Sequence, residues 1–235
     1  MAHVPRLYVD QPLTEWQSLM LDRDKAHRLF NVMRLELGAE IRLFNGRAGE
    51  FSALISERGK RGGVLTLGAR TRPQSDPPDL WLLFAPIKKE RTDFIVEKAT
   101  ELGVARILPI ITEHTNAERV RRDRLRAHAV AAAEQCGGTF VPPVEEAQRL
   151  ERMLADWPSE RALMFCDERA TGGVLPDRPG PWAIVVGPEG GFSEGEQRRL
   201  AALGQTVSLG PRILRADTAV VAAIALWQAQ LGDWR

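Results

Sequence analysis

Four short, almost unbroken apolar runs, residues 80–85, 105–111, 162–166 and 182–186, alternate with helix-forming stretches from residue 80 onward. A strand with no polar side must be covered on both faces, and helical crossovers between parallel strands cover a sheet in that way. The alternation therefore predicts an α/β unit on a mostly parallel sheet. Helices are expected over about 91–102, stopped by Gly103, and over 121–135, basic on one face and ended by Gly137-Gly138. Ser193-Glu194-Gly195-Glu196 fits a capping box, in which Ser193 accepts from the third amide and Glu196 reaches back; its helix should end at Gly204. A short strand through Leu209 precedes an alanine-rich helix over about 217–231, capped by Asp217 or Thr218, with Trp227 and Trp234 as packing residues.

The pattern differs before residues 70–79, a stretch with three prolines and almost nothing apolar that reads as a linker. Ala26, Leu29, Phe30, Met33 and Leu37 recur at helical spacing, with Asp22 or Asp24 to start the helix, Gly38 to end it, and Leu29, Phe30 and Met33 in the core. Short β-type runs follow at 40–44, 50–56 and 64–71. Asn45-Gly46 and the glycine-rich 59–63 supply the turns. A small β-barrel or sheet with one helix results, exposing Arg58, Lys60 and Arg61 on a loop. The division is 1–72, a linker at 73–79, and 80–235.

No apolar run approaches the roughly 18–20 residues that span a bilayer, and the N-terminus lacks the apolar core of a signal peptide. Cys136 and Cys166 stand alone, which favours a reducing, cytoplasmic setting, and the four histidines do not cluster, which argues against a metal site. The net charge of +1 is unevenly spread: residues 1–72 hold 12 Lys and Arg against 8 Asp and Glu, whereas 145–180 hold 5 against 8. A mildly basic first half suits an anionic partner such as RNA.

Two glycine-bearing segments carry the chemistry: residues 186–193, VGPEGGFS, and 209–219, LGPRILRADTA. Each follows an apolar run and leads into a helix, as at a small-molecule cleft beyond the carboxyl ends of strands. The first is neither a Walker loop nor a dinucleotide fingerprint, since no Gly-Lys-Ser/Thr follows and the Gly-x-Gly-x-x-Gly spacing is absent. A plain strand-to-helix turn would not require Glu189. In the second, Arg212 and Arg215 flank Ile213-Leu214, which could lie against a flat ring while a guanidinium reaches an anion.

These two segments, together with EKATELGV at 97–104, AEQC at 133–136 and HRLFNVMRLELG at 27–38, resemble the RsmE family of ribosomal RNA uridine N3-methyltransferases in the SPOUT superfamily. The matches extend over nearly the whole chain in the family's order. The resemblance implies a PUA-like RNA-binding β-barrel domain followed by a parallel-sheet α/β domain with a C-terminal trefoil knot. The knot's loops would bind S-adenosyl-L-methionine, with two copies pairing around them. The expected reaction is methylation of a uridine N3 in 16S rRNA, as naked RNA or in the assembled small ribosomal subunit; another RNA such as tRNA, or a non-catalytic RNA-binding assembly factor, is the alternative.

By motif position Gly187, Glu189, Gly190, Gly191, Leu209, Gly210, Ile213, Leu214 and Thr218 would contact the cofactor. Arg215, Glu189 and Asp217 are the expected catalytic groups, and Arg6, Arg34, Arg58, Lys60 and Arg61 the expected RNA contacts. The chain departs from the family at Gly138, where EQ-x-x-R has arginine, and at Asp217, where glutamate commonly precedes Thr-Ala.

Overall fold

The computed structural model describes residues 4–59, 62–116, 120–170 and 178–235. These fall into two compact units, Met1–Asp76 with Ala133–Phe140, and Pro77–Ala132 with Val141–Arg235.

The first unit is a five-stranded mixed sheet, order β1-β3-β4-β5-β2. Its strands are β1 (Arg6–Tyr8), β2 (Ser18–Leu21), β3 (Glu40–Phe44), β4 (Glu50–Arg58) and β5 (Gly63–Arg72). Only the β1–β3 pair is parallel. Alternation along β2 and β4 sends Leu19, Leu21, Phe51, Ala53 and Ile55 inward onto Leu29 and Phe30. Asp22 caps helix α1 (Arg23–His27), its carboxylate accepting from the Lys25 amide at 2.8 Å. The helix then widens into a π-helical turn, Arg28–Val32, with Met33 N bonded to Arg28 O. One residue more per turn rotates all that follows, so Met33 and Leu37 reach the surface and not the core. The left-handed Arg34 ends the helical path, well short of Gly38.

The same unit encloses a buried ionic cluster. Glu50 accepts from Arg6 Nε at 2.7 Å and from Arg72 Nη2 at 2.7 Å. Burial alone would raise the Glu50 carboxyl, but the Arg72 and Arg6 donors hold it below the ordinary carboxylate value. The remaining Arg6 donors go to the carbonyls of Ala133 and Gly138, and Glu134 accepts from Tyr8 N and Arg28 Nη2.

The second unit is a six-stranded parallel sheet, order β11-β9-β10-β6-β7-β8. Its strands are β6 (Leu80–Phe84), β7 (Arg106–Ile111), β8 (Gln148–Arg149), β9 (Ala162–Cys166), β10 (Trp182–Val186) and β11 (Gln205–Val207). Helices α2 (Lys89–Glu101), α3 (Arg122–Cys136), α4 (Leu150–Ala155), α5 (Glu194–Leu203) and α6 (Ala216–Gln230) intervene. Along β10, Trp182, Ile184 and Val186 join one core with α2 and α6, while Ala183 and Val185 join another with α4 and α5. That two-sided burial explains the unbroken apolar runs. Trp227 is buried within α6, whereas Trp234 lies beyond that helix and is half exposed. Among the described residues no helix is long and apolar enough to cross a membrane.

Candidate functional site

The carboxyl ends of β9 and β10 and the segment after β11 enclose a cavity of about 290 Å3. This is close to the smallest volume usual for a ligand site. Two glycines make it for different reasons. At Gly187 the reason is space: a Cβ there would lie 2.7 Å from the Phe192 ring. At Gly210 it is conformation: the backbone is left-handed, φ +110°, with open room around it.

The Gly187 segment is fixed from both ends. Gly191 N bonds to Pro188 O at 2.9 Å, closing the turn. Ser193 and Glu196 then form the reciprocal capping box at the start of α5. One Glu196 oxygen also accepts from Glu113 N at 3.0 Å, and Gln197 Nε2 donates to Phe192 O at 2.6 Å. Opposite, Leu209 and Leu214 pack against the core while Ile213, 79% exposed, lies at the mouth.

Gly187, Glu189, Gly191, Leu209, Gly210, Ile213, Leu214 and Arg215 all line this cavity, as does Arg212. Three expected residues do not. Gly190 faces a second cavity, where its carbonyl meets His114 Nδ1 at 2.9 Å. Thr218 and Asp217 sit on the first turn of α6, outside the lining. Asp217 faces Arg91 at 3.9 Å and accepts from Thr218 N. Neither Asp217 nor Thr218 is the N-cap, because Arg215 holds that position through its backbone.

The expected RNA contacts also divide. Arg6 is turned inward, its side chain 8% exposed and its donors spent on Glu50 and two backbone carbonyls, so it is a structural residue. Arg34 is exposed; Arg58 pairs with Glu36 at 2.8 Å and covers the Phe30 ring. Lys60 and Arg61 lie outside the described residues.

Sequence reasoning missed the wall after β9, formed by Cys166, Asp167, Glu168 and Arg169. Its position at a strand's carboxyl end beside β10 was the available signal. Burial pushes the Cys166 thiol up to about 12, so it lines the cavity uncharged. Among the described residues no cluster of His, Cys, Asp and Glu suits a metal ion.

An α/β unit with its cleft at this position, carried beside a small mixed-sheet unit, has counterparts among known proteins. Residues 74–228 match the family model described as an RNA methyltransferase domain, and residues 21–67 the one described as an RNA methyltransferase PUA domain. Ribosomal RNA small subunit methyltransferase E of Rickettsia conorii is 31% identical over 94% of this chain and 93% of its own length. The chain belongs to the ribosomal RNA small subunit methyltransferase E family. A solved member from Neisseria gonorrhoeae, bound to S-adenosyl methionine, is 30% identical and superimposes with a TM-score of 0.90 over 99% of this chain and all of that one. A methyltransferase structure from Legionella pneumophila, also with that cofactor, is 29% identical with a TM-score of 0.92 over the same shares.

Proposed function

We propose that this protein uses S-adenosyl-L-methionine to methylate N3 of a uridine in 16S rRNA, with the first unit, residues 1–72, binding RNA and residues 80–235 carrying the transfer. The observation that carries this reading is the meeting of both glycine segments on one cavity that also presents Glu189 and Arg215. The cavity fits the cofactor: bare backbone at Gly187 and Gly210 and the apolar Leu209, Ile213 and Leu214 suit a flat adenine. Asp167 and Glu168 offer carboxylate oxygens to ribose hydroxyls. When bound, the cofactor supplies an electrophilic methyl group.

Uridine N3 is a poor nucleophile until it loses its proton. Glu189 takes that proton, and Arg215 holds the negative charge spread over the ring oxygens. Asp217, outside the cavity and facing Arg91, is the less suited base. Because N3 lies on the pairing edge, the target base enters unpaired or extruded. Arg34 and Arg58 contribute salt-sensitive backbone affinity. The trefoil knot, a cytoplasmic location and a homodimer belong to the same reading; Ile213, exposed at the cavity mouth, is apolar surface that a second copy would cover.

The test is incubation with labelled cofactor and small-subunit RNA, followed by mapping of the modified nucleotide. Glu189→Gln and Arg215→Ala should each lower kcat by about 10²–10³-fold with cofactor affinity preserved. Full turnover in either variant removes that residue from the chemistry, and a label found only on tRNA replaces the substrate.

A further inference from the structure

A second cavity, of about 770 Å3, opens on the other side of Glu189-Gly190. It is larger than the first, and its charge is of one sign. Lys88 and Lys89 at the start of α2, and Arg121 and Arg124 at the start of α3, line it. Arg124 is matched by Asp93 at 2.7 Å. Lys88, Lys89 and Arg121 are exposed and have no ion-pair partner among the described residues, with Glu189 the one carboxylate in the lining. Uncompensated cations gathered in a concave surface repel one another, and an anion between them relieves that repulsion. The α2 start adds to the same potential, since the Lys88 N-cap position lacks a side-chain cap and leaves amide donors open.

The partition between the cavities is one backbone segment thick. Glu189 lines both sides. The partition is propped by His114, whose ring bonds to Gly190 O at 2.9 Å, and a Cβ at Gly190 would lie 3.2 Å from the His114 Cβ. A strand lying in the second cavity would thus have its nearest base one residue's width from the proposed methyl-transfer cavity.

We infer that this basic cavity binds the phosphodiester backbone of the RNA at the target nucleotide, with Lys89 and Arg121 as phosphate-binding residues that set the approach of the base to Glu189. The inference rests on the methyl-transfer reading for its substrate and extends it to a site on the second unit that is separate from Arg34 and Arg58. Phosphate contacts of this kind confer position and affinity and carry no sequence information.

The experiment compares the full chain with a Lys89→Ala/Arg121→Ala double variant and with the charge-conserving Lys89→Arg/Arg121→Lys pair. The probes are purified small-subunit rRNA for turnover and binding, and S-adenosyl-L-methionine alone by calorimetry. The alanine pair should raise KM for RNA about tenfold or more and flatten the slope of log affinity against log salt by about 1.4, two contacts at about 0.7 each. Cofactor affinity should stay within twofold of the parent, and the charge-conserving pair should restore the parental salt slope. An unchanged KM and slope, or a cofactor affinity that falls in step with RNA affinity, overturns the inference. If the parent chain transfers no methyl group, the methyl-transfer reading falls, while the salt slopes still decide whether this cavity holds the RNA backbone.

Discussion

Replacing Gly187 with alanine tests whether the cavity depends on a missing methyl group. The new Cβ would stand 2.7, 3.0 and 3.1 Å from Cε2, Cδ2 and Cζ of Phe192. Carbons at rest lie about 3.5–4.0 Å apart, so the ring must retreat by roughly 0.8 Å. Phe165 meets Phe192 edge to face, ring centroids 5.4 Å apart, and blocks one direction. The open direction is into the cavity that Phe192 itself lines. Overpacking of this degree costs about 1–3 kcal/mol. At this chain length that lowers Tm by roughly 2–12 °C. A ring displaced into a space of about 290 Å3 also obstructs the ligand, and each 1.4 kcal/mol of lost binding weakens Kd about tenfold. Thermal denaturation and calorimetry with S-adenosyl-L-methionine measure the two effects, and a Phe192→Leu partner substitution should recover part of both. A Gly187→Ala protein that melts and binds as the parent does, or a double variant with no recovery, would refute the argument.

Two other perturbations bear on stability. The Glu50 carboxyl is depressed in the folded state, so its contribution is complete above its ordinary value of 4.5 and disappears as pH falls through the lower folded value; Glu50→Gln should flatten acid unfolding in that window and destabilise the protein at pH 7, as followed by circular dichroism. Ser193→Ala removes half of the capping box at α5 and should cost about 1 kcal/mol in urea unfolding with m unchanged.

The second unit was legible because its strands are buried on both sides. Runs such as those at β9 and β10 admit one arrangement, and glycines with left-handed backbone, Gly103 and Gly137, marked helix ends where expected. In the first unit the strands β3 to β5 announced themselves through turns. β1 and β2 were not foreseen, being three and four residues long and paired with partners distant in sequence. The π-helical turn escaped because helical spacing carries no mark of an inserted residue, and Met33 and Leu37 were misplaced with it. Both glycine loops were readable as the cleft. What could not be read was which charges face it: Arg6 was spent on Glu50, and the carboxylates after β9 came from a segment without a motif. At Gly138 a Cβ would meet only ordinary contacts, with Cys136 Sγ 3.5 Å away, so space does not explain the missing arginine.

β10 is buried along its whole length between β9 and β6, whereas β11 is a three-residue strand at the sheet margin. Each leads into one side of the cleft. Hydrogen exchange at the centre of such a sheet requires the whole unit to open, while a marginal strand can fray alone. The cleft thus has a fixed jaw and a yielding one, and a gripped molecule would slow exchange chiefly in the yielding half.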